Sequence, residues 1–117
     1  MANKQEVEIF LKELKEKIRF FDIVFRPRDK NLQALADLDI SATKRLECIM
    51  NLKAEVYYDG PKNDTYDINR PNYYEFGIQV NKIEVYIKIS KGLSNKPVDC
   101  MSFHPAEFPM TYPLKSK

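Results

Sequence analysis

Four side chains in the second half of this chain are of the types that cut a phosphodiester bond in RNA without a metal ion. They are Glu75 in YEFG (74–77), Tyr86 and Lys88 in EVYIKI (84–89), and His104 in SFHP (102–105). The reaction needs a base to take the proton of a 2′-hydroxyl, a cation to steady charge on phosphorus, and an acid to protonate the departing 5′ oxygen. Histidine suits acid–base exchange near neutral pH, and His104 is the only one in the chain. Tyr57, Tyr58 and Tyr73 are of the type that stacks on unpaired bases, and Lys53, Arg70 and Lys91 of the type that holds phosphates. The same types also make an ordinary solvated sheet face, and from chemistry alone that plainer reading is the commoner one.

What could bring these residues together is a sheet. Three strand-like runs, Tyr73 to Val80, Ile83 to Ser90 and Val98 to Phe103, are joined by Asn81-Lys82 and by the stretch from Lys91 to Pro97, which predicts an antiparallel meander. Side chains alternate along a strand, so the apolar set Tyr74, Phe76, Ile78 and Val80 of the first run, and Val85, Ile87 and Ile89 of the second, must face the core. In the third run Met101 and Phe103 are assigned to the core, leaving Cys100, Ser102 and His104 outside, although Val98 and Asp99 invert that polarity at its start. With neighbouring runs paired, Glu75, Tyr86, Lys88, Ser102 and His104 gather on one outer face.

The first half supplies the opposing layer. From Lys4 to Phe21 apolar residues recur at three- and four-residue spacing (Val7, Phe10, Leu11, Leu14, Ile18, Phe21), the signature of a helix with one buried stripe. FFDIVF (20–25) predicts a short strand ended by Arg26-Pro27-Arg28-Asp29. Ser41 is placed to cap a second helix through Leu46, Ile49, Met50 and Leu52, and residues 31–40 show no clear period. Residues 57–72, with Gly60, Pro61, Pro71 and several Asn and Asp, predict a long loop, a candidate for substrate contact; it holds Tyr57, Tyr58 and Tyr66 beside Tyr73. Helices first and sheet later is the α+β pattern, an antiparallel sheet with helices packed on one face.

Composition sets the bounds. At 117 residues, 44% hydrophobic and 31% charged, the chain predicts one domain over residues 1–117 with its own core. No apolar run approaches a membrane span and the first residues lack a secretory pattern, so a cytoplasmic protein without membrane contact is expected. A net charge of +2 neither demands nor excludes nucleic acid. Cys48 and Cys100 are too isolated for a zinc site and are expected as buried free thiols. No Gly-rich phosphate loop or nucleophile elbow suggests a small-molecule enzyme, and no cofactor is expected.

EVYYDGPKND (55–64), YEFG (74–77), EVYIKI (84–89) and SFHPAEFPMTYP (102–113) resemble, in this order, the MqsR-like toxins of bacterial toxin–antitoxin systems, particularly members with a longer C-terminal end. The resemblance spans roughly residues 40–113. It implies the RelE-like fold with a short C-terminal extension, and a metal-independent mRNA interferase silenced by an antitoxin that often carries a DNA-binding domain. Whether cleavage requires the ribosome stays open. By position Tyr86 matches the tyrosine of the family's Val-Tyr-Leu-Lys strand and His104 its catalytic basic residue, where the founding member has lysine. Glu75 stands where the family has glutamine, and Tyr58 where it has lysine. Glu107, three residues after His104, is placed either to orient it or to lie on the surface. The alternative from another class is a non-catalytic domain that binds RNA or protein through the same face.

Overall fold

The computed structural model describes every residue except Tyr66 and Lys117; the loop tyrosine Tyr66 therefore lies outside the described residues. Helix α1 (Lys4–Phe21) starts at a capping box in which the Asn3 side chain accepts from the Glu6 amide and the Glu6 carboxylate accepts from the Asn3 amide. It buries Val7, Phe10, Leu11, Leu14 and Ile18. Phe20 and Phe21 belong to this helix, so the strand expected over 20–25 contracts to β1 (Ile23–Phe25). Helix α3 (Ala42–Met50) is capped by the Ser41 hydroxyl, which accepts from the Lys44 amide at 3.0 Å.

Helix α2 (Asp29–Leu38) occupies the stretch for which no period was legible. Its buried face has only Asn31, Ala34 and Leu38, too small and too polar to stand out as an apolar stripe. It ends at Asp39 in the left-handed region, φ 54°.

Strands β2 (Tyr57–Lys62), β3 (Tyr73–Val80), β4 (Ile83–Ser90) and β5 (Val98–Pro105) complete one five-stranded sheet in the order β1-β5-β4-β3-β2. Two expectations are corrected. The first six residues of the predicted loop are strand β2; Pro61 is tolerated there because β2 is an edge strand, where no further neighbour needs its amide. And the sheet is mixed rather than wholly antiparallel, because β1 runs parallel to β5, with Ile23, Val24 and Phe25 opposite Val98, Asp99 and Cys100. That pairing joins segments far apart in sequence, which turn chemistry cannot reveal. Helix residues Leu14, Leu38 and Ile49 share one core cluster with Phe76, Ile87 and Phe103 of the sheet, so the helices cover one sheet face. Among the described residues no helix is long and apolar enough to cross a membrane.

The polarity inversion at the start of β5 has its cause in a β-bulge. Lys88 pairs with Ser102 and Ile89 with Cys100, so Met101 is the extra residue. Before it Val98 and Cys100 face the core; after it Phe103 does. Cys100 is thus a core residue, not an outer one, and Met101 is buried at the bulge. Ser102 and His104 keep the outer face because the bulge resets the alternation. Where β1 ends, Asn31 continues the edge: its Nδ2 donates to Arg26 O at 2.9 Å and Met101 O at 3.0 Å, and its Oδ1 accepts from the Phe103 amide at 2.9 Å. One buried amide thereby satisfies the bulged strand and pins the first turn of α2 beside it.

Candidate active site on the outer sheet face

The register assembles the site. Tyr86 lies opposite His104 on one side and Gly77 on the other, while Lys88, two positions along, lies between Ser102 and Glu75. These side chains, with Arg28, Asp29, Lys30, Asn31, Glu107 and Phe108, border a cavity of about 530 Å³, except that Glu75 acts on it through Tyr86.

His104 is 8% exposed and its Nδ1–H donates to the Pro105 carbonyl at 2.9 Å. A carbonyl can only accept, so the proton sits on Nδ1 and Nε2 is the nitrogen left to exchange protons. The ring lies 5.6 Å from that of Tyr86, tilted by 43°. The Tyr86 hydroxyl donates to Glu75 Oε2. Burial, and then this bond to a carboxylate, push the phenol well above the usual tyrosine range, so Tyr86 stays protonated in the neutral range. The other Glu75 oxygen lies 2.7 Å from the Lys62 ammonium, which also meets Asp59 at 3.0 Å. Those contacts raise the Lys62 pKa, the Glu75 hydrogen bond first among them. Glu75 is thus held by the Lys62 ion pair and the Tyr86 hydroxyl and in turn orients Tyr86.

The Lys88 ammonium sits 4.3 Å above the centre of the Tyr73 ring. Desolvation, then the nearby Arg28 charge, lower its pKa. Phe108, 44% exposed, lies 6.0 Å from the Tyr86 ring and 5.8 Å from that of Tyr58. It is held there by the C-terminal segment, where Glu84 accepts from the Met110 amide and the Tyr112 hydroxyl. That segment crosses β3 at Gly77, where a Cβ would run into the Tyr112 hydroxyl and Met110 Sδ. Glu107 pairs with Lys30 at 2.6 Å across the cavity rather than with His104.

Of the residues chosen from sequence, His104, Tyr86, Glu75, Lys88, Tyr73 and Tyr58 come together. Four do not. Tyr57 is fully buried in the core, donating to Gly60 O and accepting from the Ala2 amide, so it has no face for a base. Lys53 borders a separate cavity beside α1, on the helix-covered side of the sheet. Lys91 also turns that way, to Glu13 at 3.0 Å. Arg70 lies 3.8 Å from Asp99, which is already bound by Arg26 at 2.6 and 2.9 Å. Sequence reasoning missed Arg28, Lys30, Lys62 and Phe108. Arg28 stood in a segment read as a turn, Lys30 just after it, Lys62 in one read as a loop, and Phe108 in the motif of residues 102–113 without a role of its own; the signal available was Pro27 just ahead of a helix start.

The fold and site define a class: an α+β protein with a five-stranded mixed sheet, helices on one face, and a polar, aromatic-rimmed cavity on the other. No family model, no curated protein and no solved structure matches this chain. Among the described residues no group of three His, Cys, Asp or Glu side chains is arranged to hold a metal ion.

Proposed function

We propose that this protein is an RNA endonuclease of the MqsR-like, RelE-fold toxin type, which cleaves messenger RNA in the cytoplasm and is silenced by a cognate antitoxin. The observation that carries this reading is the cross-strand pair Tyr86 and His104, with Lys88 beside them on the same face of one cavity. In the reaction the 2′ oxygen attacks phosphorus as its proton passes to the Tyr86 oxygen, while Tyr86 hands its own proton to Glu75. Lys88 offsets charge on the phosphorane oxygens. His104, doubly protonated, gives its Nε2 proton to the 5′ oxygen as the P–O5′ bond breaks. The products are a 2′,3′-cyclic phosphate and a 5′-hydroxyl.

The test uses purified chain and a long unstructured RNA in EDTA, with ends mapped. Cleavage should leave the two ends named and fall by about 10² to 10⁴ in His104→Ala. A substrate with sulfur at the scissile 5′ position, whose leaving group needs no proton, should restore most of that loss. Loss without such rescue removes His104 from the acid role.

One observation favours a second reading. Glu75 is already engaged by Lys62 and Tyr86, which suits a rigid binding face that holds RNA or a partner protein without cutting. RNA left intact with and without ribosomes, together with growth unaffected by expression, selects that reading.

A further inference from the structure

One wall of the cavity is built by α2. Its first residues Asp29, Lys30 and Asn31 line the cavity, and no side chain caps them, since Arg28 makes no capping bond. The first amides of a helix have no intrahelical partner and lie at the positive end of its dipole, an arrangement that favours an anion. Two further groups point the same way. Ser102 is 5% exposed and lines this cavity, yet its hydroxyl has no hydrogen-bond partner among the described residues. His104, 8% exposed, likewise leaves Nε2 unbonded there. Arg28 and Lys88 both line the cavity and are close enough to repel, and although the Glu75 and Asp64 carboxylates act on Lys88 from nearby, burial and the Arg28 charge outweigh them. Of the two acids on the rim, Glu107 is occupied by Lys30.

We propose that the first turn of α2, with Arg28, Lys88 and Ser102, is a subsite that seats a phosphate of the RNA chain beside His104. This rests on reading the cavity as an RNA site. Ser102 and His104 are two positions apart on one strand face, roughly 7 Å, so a single chain lying along β5 can meet both. The bulge at Met101 and the Asn31 clamp set the two walls against each other.

The subsite is tested without chemistry, using a single-stranded 2′-O-methyl RNA oligonucleotide, which lacks the nucleophile. Arg28→Ala should weaken binding about tenfold and flatten the dependence of log K on log salt by about 0.7, the loss of one phosphate contact on a single strand. Ser102→Ala should weaken it about threefold, and Lys12→Ala, on the opposite face, should leave it unchanged. Inorganic phosphate should shift the amide resonances of Asp29, Lys30 and Asn31 in the wild type and not in Arg28→Ala. If RNA is bound and cut while Arg28→Ala binds normally and those amides stay still, the subsite is wrong and the nuclease reading stands. If phosphate shifts the amides but the oligonucleotide does not bind, the RNA assignment of the subsite is overturned, while the nuclease reading stands or falls by the cleavage test with and without ribosomes.

Discussion

At the scale of single residues the Tyr86–Glu75 pair is the most informative contact. Its geometry predicts a pH dependence of stability. The folded state raises the Tyr86 pKa by burial and by the bond to Glu75, whereas the unfolded phenol titrates near ~10. Above that pH the unfolded chain has lost a proton that the folded chain keeps, so stability contributed below pH ~10 is lost as pH rises further. Tyr112, raised by burial and by its bond to Glu84, adds a loss in the same direction. Thermal unfolding of the wild type should therefore drop through the alkaline range, and Tyr86→Phe should flatten the drop. Equal slopes in both proteins would mean the phenol is not held as described. The same substitution should slow RNA cleavage, because phenylalanine can neither accept the 2′ proton nor reach Glu75.

At the scale of elements the decisive device is the bulge in β5 and its brace from α2. Asn31 makes three hydrogen bonds to backbone that is otherwise at the end of a strand pair. Replacing it with leucine, similar in size, leaves a buried carbonyl and amide without partners, each costing about 1–3 kcal/mol. Asn31→Leu is expected to lower stability by roughly 3 kcal/mol in urea unfolding. It should also weaken oligonucleotide binding, since the first turn of α2 loses its anchor. An exposed neighbour, Leu32→Ala, should do neither. Edge placement explains the other unexpected element: β2 carries Gly60 and Pro61, residues that read as turn formers, on an irregular ladder with two register shifts against β3.

At the scale of the whole molecule one core supports a site on the opposite side of the sheet. Central strands β4 and β3 are paired on both sides, and Val85, Ile87 and Ile89 are fully buried beneath Tyr86 and Lys88. Amide hydrogen exchange should be slowest in β4 and fastest in residues 63–65 and 67–72, where the backbone has few internal partners. Ile87→Ala, beneath the site but not in it, should cost about 2–5 kcal/mol of stability. Any loss of cleavage should then follow the folded fraction. A loss of activity in fully folded protein would show that core packing tunes the site directly.

Much of this was determined by the sequence alone. The period of α1, the Ser41 cap and the strict alternation in YYEFGIQV and IEVYIKIS decide local structure and faces, because those choices depend on residues a few places apart. They were enough to put Glu75, Tyr86 and Lys88 on one side of a sheet with helices on the other. Ser102, His104 and the buried Met101 were placed correctly although Cys100, assigned to the outer face, lies in the core, since a bulge resets alternation without leaving a local mark. Tyr57 and Lys91 were assigned to RNA by type, and only the tertiary packing shows them turned to the core side and to α1. The parallel pairing of β1 with β5, the Asn31 clamp and the meeting of α2 with Lys88 and Ser102 join segments some 70 residues apart. Such contacts are chosen by which arrangement buries the apolar faces and satisfies the backbone of the whole chain at once, and no short stretch of sequence contains that choice.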